Sequence, residues 1–127
     1  MSTIANIVVG IIALLHVYIL ALEMFLWDKP AGLKAFGNNS EEGKTYSVST
    51  KVLAANQGLY NGFLAAGLCW GLSLDVQGNT QGTSVKVFFL CCVLIAGLYG
   101  AASTRKIKIL FIQTIPAALA LALMYLS

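Results

Sequence analysis

The chain has 127 residues, of which 58% are hydrophobic and 10% charged, with a formal net charge of +3. Ordinary soluble domains carry about 25% charged residues, so this composition, with a mean hydropathy of +0.81, excludes a typical soluble enzyme and points to an integral membrane protein of one domain. The basic residues sit at segment ends and in loops rather than in a stripe, which gives no footprint for nucleic acid.

A helix needs about 20 apolar residues to cross the hydrocarbon core, and four such stretches use most of the chain. The first runs from Thr3 to Trp27. It is too long for the apolar region of a signal peptide and lacks a basic leader, so it reads as the first span. A polar loop follows from Asp28 to Thr50, with Asn38-Asn39-Ser40-Glu41-Glu42-Gly43 at its centre and a short interfacial helix expected over Ala31 to Phe36. The second span covers Lys51 to Ser73. A short loop holds Asp75, Gly78, Asn79 and Gly82. The third span covers Thr83 to Ser103, and the tight basic link Thr104-Arg105-Lys106-Ile107-Lys108 leads to the fourth, Ile109 to Leu126. Pro116 should kink that helix or loosen its backbone, which membrane helices tolerate.

The expected fold is therefore all-α, an integral membrane four-helix bundle in a single domain. Lys29, Lys34, Lys44 and Lys51 flank the first loop, and Arg105, Lys106 and Lys108 fill the third. Only Lys86 lies on the opposite side. The excess of basic residues in short loops marks the cytoplasmic face, so both termini and the second loop are expected outside. Trp27 and Trp70 suit interfacial anchors. Cys69, Cys91 and Cys92 fall in apolar stretches without a CxxC pair. They read as small buried hydrophobes, because free cysteine is among the most buried residue types.

Polar side chains at membrane depth are costly and tend to mark function. His16 and Glu23 lie seven residues apart, on one face of the first span at about 100° per residue. In the second span Asn56, Gln57, Tyr60 and Asn61 fall on one side. Ala54, Gly58, Gly62, Ala65 and Ala66 fall on the next, where a neighbouring helix can approach closely. Val52, Leu59, Phe63 and Trp70 form the strip expected to face lipid. Counting depth along antiparallel spans puts Glu23 level with Asn56 and Gln57, and His16 near Asn61 to Leu64. Tyr99 and Gln113 fall in the same half of the third and fourth spans. The expected site is thus a polar pocket of His16, Glu23, Asn56, Gln57, Tyr60, Asn61, Tyr99 and Gln113, open toward the cytoplasm. His16 and Glu23 are its candidate acid and base. One His, one Glu and three amides without HxxxH or ExxH spacing make a poor metal set, and no cofactor is implied.

The run Lys51-Val52-Leu53-Ala54-Ala55-Asn56-Gln57-Gly58-Leu59-Tyr60-Asn61-Gly62-Phe63-Leu64-Ala65-Ala66-Gly67-Leu68 resembles the signature of a family of small bacterial membrane proteins, domain of unknown function 1304. His16 to Trp27, with Leu22-Glu23-Met24-Phe25-Leu26-Trp27, is similar to its first-span motif, and Lys34-Ala35-Phe36-Gly37 to its loop motif. The chain departs from it around Asn38 to Gly43. The resemblance implies a four-span, multi-pass protein of the bacterial inner membrane and no particular activity.

Three functions fit these residues. The first is binding or transport of a small polar or amphiphilic molecule, for which four spans call for a homo-oligomer. The second is a membrane enzyme in which Glu23 and His16 exchange protons with a lipid-soluble substrate, as in an isomerase or epimerase step. The third is a scaffold whose polar residues only hold helices together. Membrane lipids are the one partner common to all three.

Overall fold

A computed structural model describes residues 3–127. Regular structure among them is helical: α1 (Thr3–Met24), α2 (Pro30–Phe36), α3 (Glu41–Ser49), α4 (Lys51–Val76), α5 (Gln81–Thr104), a π-helical segment (Leu110–Thr114) and α6 (Ile115–Leu126). The chain forms two compact units, one of residues 15–63 and one of residues up to 14 together with 64–127.

In the 15–63 unit, the first loop is more ordered than its composition suggests. α2 starts at Pro30, where a fixed φ and a missing N–H suit a first helical turn. It stops at Gly37, whose φ of +72° is left-handed. There the Asn38 N–H closes on the Leu33 carbonyl at 2.7 Å. α3 was not expected, because Glu41 to Ser49 has no apolar period. Its signal is a cap instead. The Ser40 hydroxyl accepts from the Gly43 N–H at 3.0 Å, and Glu41 and Glu42 lie in the first turn, against the positive end of the helix dipole.

Thr50 separates α3 from α4. Its hydroxyl donates to the Tyr46 carbonyl at 2.7 Å and accepts from Trp27 Nε1 at 3.1 Å. Trp27 also packs on Phe36, ring centres 4.8 Å apart. Lys51 Nζ lies 3.1 Å from Asp28 Oδ2. That hydrogen bond holds the Asp28 carboxyl below the usual carboxylate range. Trp27 is thus tied to the loop through named partners, which is more than an interfacial anchor.

The other unit is built on small and branched apolar residues. Val9 and Ile12 of α1 pack with Leu68 of α4, Leu90 and Val93 of α5, and Ala117 and Ala120 of α6. Proline has no N–H for the carbonyl four residues back. The backbone just before Pro116 widens accordingly, and the Ile115 N–H reaches back five residues to the Leu110 carbonyl. This is the loosening expected of Pro116, taken up as a π turn.

Gly97 of α5 faces the π segment. A Cβ there would fall on Thr114 Oγ1 and lie 2.9 Å from the Thr114 nitrogen and 3.0 Å from Gln113 Cβ. The Thr114 hydroxyl donates to the Leu94 carbonyl at 3.3 Å. Gly97→Ala is therefore expected to lower stability by about 1–3 kcal/mol through overpacking, read as an earlier thermal transition by circular dichroism in detergent.

α1 and α5 are long and apolar enough to cross a membrane. The apolar stretch Leu110–Leu126 is shorter, while α4 has the length but carries the amides Asn56, Gln57 and Asn61 well inside it. The cysteines depart from expectation: Cys69 and Cys91 are exposed and Cys92 is half-buried.

Candidate functional site

Glu23 and Asn61 are the two expected site residues that the fold joins by a hydrogen bond shown between their side chains. Asn61 Nδ2 donates to Glu23 Oε1 at 2.6 Å, and both residues are buried. The same Asn61 nitrogen lies 3.2 Å from the Gln57 carbonyl of its own helix, which fixes the amide's orientation. The second Glu23 oxygen takes no hydrogen bond from a described residue. His16, seven residues earlier, is fully buried, as is expected of two residues sharing a face of α1.

The side of α4 that meets α1 differs from expectation. Glu23 stands beside Gly58, one residue from Gln57, and its carboxyl reaches along α4 to Asn61. The reason is steric. A Cβ on Gly58 would lie 2.7 Å from Met24 Cγ, 3.0 Å from Glu23 Cβ and 3.2 Å from the Leu20 carbonyl, and one on Gly62 would lie 2.6 Å from Leu20 Cδ1. α1 thus seats itself in the small-residue side of α4, where glycine lets backbones approach. The polar side turns elsewhere, and Asn61, on the border between the two sides, is the residue that meets the carboxylate.

The side chains of Asn56, Gln57 and Tyr60 do not bond to this pair. Asn56 is exposed and its amide donates to the Val52 carbonyl one turn back, at 2.9 Å. Gln57 is exposed. Tyr60 is also exposed, with its ring 6.2 Å from that of Phe63. Tyr99 and Gln113 belong to the other unit: Tyr99 is exposed on α5, and Gln113 is half-buried in the π segment. Val52, Leu59, Phe63 and Trp70, the strip expected to face lipid, are all exposed. Two open hollows of about 290 and 350 Å³ lie elsewhere. One is walled by Trp70, Val85, Phe88 and Phe89, the other by Leu98, Ala102, Arg105 and Ile107. Neither contains an expected site residue.

A second polar centre was missed. Lys86 of α5 is fully buried, yet its Nζ lies 3.0 Å from Asp75 Oδ2 and 2.7 Å from Asn6 Oδ1, while Asn6 Nδ2 donates to the same Asp75 oxygen at 2.9 Å. The hydrogen bonds from Asn6 and Lys86, in that order, hold the Asp75 carboxyl below the usual carboxylate range. The signal was a lone lysine inside an apolar stretch, eleven residues after an aspartate across a short turn. Counting Lys86 only toward membrane orientation hid it.

These features define a small, all-helical protein with two helices long and apolar enough to cross a membrane and a buried carboxylate on the first of them. The chain belongs to the family described as protein of unknown function (DUF1304), whose model matches residues 10–125. It is also similar to the uncharacterized protein YpaA of Lactococcus lactis subsp. lactis (strain IL1403), 33% identical over 112 residues that cover 87% of this chain and 88% of the relative. No solved structure matches it significantly.

Proposed function

We propose that the chain is a four-span protein of the bacterial cytoplasmic membrane, and that Glu23 and Asn61 form an intramembrane site for a small polar or amphiphilic molecule. α1, α4 as far as Ser73, α5 and the π–α6 stretch are the four crossings. The core helix of a soluble protein is mostly buried, whereas only 28% and 22% of the most apolar stretches of α1 and α5 are. Ile4, Ile7, Ile11, Leu14 and Tyr18 make a continuous exposed apolar side on α1. A patch of that kind suits lipid and not water. With the basic first and third loops in the cytoplasm, both termini lie outside.

The observation that carries the binding reading is the half-satisfied carboxylate. One Glu23 oxygen is held by Asn61, and the other is free to accept a hydrogen bond from an incoming N–H or O–H. Asn61 and the glycine seat of α1 hold the group in place, so little ordering remains to be done on binding. Transport across the bilayer would use the same pair. The decisive experiment is mass spectrometry of the protein released from gentle detergent. A bound small molecule is expected, and Glu23→Gln should weaken its retention roughly tenfold to a hundredfold, the worth of one charge-assisted hydrogen bond. A bare protein mass, or an adduct indifferent to Glu23→Gln and Asn61→Ala, would refute the site.

A further inference from the structure

We infer that α4 carries an interface for a second copy of this chain, formed by Asn56, Gln57, Tyr60 and Phe63; the inference rests on the membrane reading above. All four residues are exposed. At about 100° per residue they span a strip centred nearly opposite Ala54, Gly58 and Ala65, the side of α4 that is buried. Gln57 and Tyr60 stand about 9 and 14 Å along the helix from Lys51, which is within the hydrocarbon half-thickness of about 15 Å.

The strip is ill suited to lipid. Neither the Gln57 amide nor the Tyr60 hydroxyl has a hydrogen-bond partner among the described residues, and hydrocarbon offers none. The exposed side of α1 at Ile4, Ile7, Ile11 and Leu14 is apolar throughout by comparison. α4 thus presents an amide and a hydroxyl together on one strip, where the exposed run Ile4 to Tyr18 of α1 carries one hydroxyl, that of Tyr18.

A second copy satisfies them by symmetry. The membrane fixes every copy in one orientation, so a twofold axis runs along the membrane normal and sets equal residue numbers at equal depth. An amide both donates and accepts, as does a hydroxyl. Gln57 can therefore pair with Gln57 of the second copy, and Tyr60 with its own counterpart. The strip holds no charged residue, so meeting itself brings no like-charge repulsion. Phe63, beside Tyr60, extends the contact with an aromatic surface.

The test uses the full chain in liposomes with Cys69, Cys91 and Cys92 replaced by alanine, and with single cysteines at Gln57, Tyr60 or the exposed α5 residue Ile95. Oxidation is expected to link Gln57→Cys and Tyr60→Cys into dimers and to leave Ile95→Cys monomeric. No dimer at the first two, or equal dimer at all three, overturns the interface. Alkaline carbonate washing is done first: release of the protein refutes the membrane reading itself, whereas retention without linkage refutes the interface alone. The variant Gln57→Leu with Tyr60→Phe should still be helical by circular dichroism. It should dissociate more readily by energy transfer between labelled copies, about threefold for each interhelical hydrogen bond lost and thus roughly tenfold or more. Unchanged association in that variant also overturns the interface.

Discussion

Asp75→Ala is expected to destabilise the protein by about 3–5 kcal/mol, because it leaves the fully buried Lys86 ammonium without its counter-charge. In a detergent melt followed by circular dichroism this is a fall of roughly 10 °C or more. Among the described residues only the Asn6 side-chain oxygen would remain to accept from Lys86. The reverse change should be milder. In Lys86→Met the stranded group is Asp75, which keeps some access to water and still accepts from Asn6. The double variant Asp75→Ala, Lys86→Met should regain most of the stability lost in the first, since replacing a buried pair by apolar groups is often neutral. Equal costs for the two single variants would refute the idea that the buried lysine sets the asymmetry.

The same pair fixes a pH dependence and its sign. The folded Asp75 pKa lies below its ordinary value of 3.8. A depressed carboxylate contributes stability that is complete above the ordinary value and is lost as pH falls through the folded value. Stability should therefore be flat from neutrality down to about pH 5 and decline in stronger acid. Asp28, held by Lys51, titrates in the same direction. The share of Asp75 is the part of the acid decline that disappears in Asp75→Ala, Lys86→Met.

How much of this was legible beforehand follows from the kind of signal each element sends. The apolar lengths of α1 and α5 announce themselves, and so does the Pro116 distortion, because one missing N–H has a local consequence. α3 was invisible to periodicity, and only Ser40 and the two glutamates after it mark its start. The Glu23–Asn61 pair was half legible. Both residues stood out as polar groups in apolar stretches, but their pairing depended on which side of α4 receives α1. Grouping polar residues by helical face favoured the polar side. The close approach at Gly58 and Gly62 decided for the small-residue side, a steric matter that sequence spacing offers without ranking. The Asn6–Asp75–Lys86 group joins residues from three helices, so only tertiary structure brings it together.

The distinction between binding site and helix glue turns on Asn61→Leu and Glu23→Leu. Asn61→Leu should cost about 3 kcal/mol, because a buried carboxylate loses its one described donor. Glu23→Leu should cost less, since the Asn61 amide still has the Gln57 carbonyl at 3.2 Å. The two changes together should recover part of the loss, giving a coupling of about 1–3 kcal/mol between residues in direct contact. That coupling is common to both readings, so stability alone does not choose between them. Glu23→Leu does, because it is expected to stay folded while removing the carboxyl, whose second oxygen is the acceptor assigned to the ligand. If the folded Glu23→Leu protein loses the bound molecule, the carboxylate was there to hold it. If it keeps the same adduct, the pair joins α1 to α4 and the ligand belongs elsewhere.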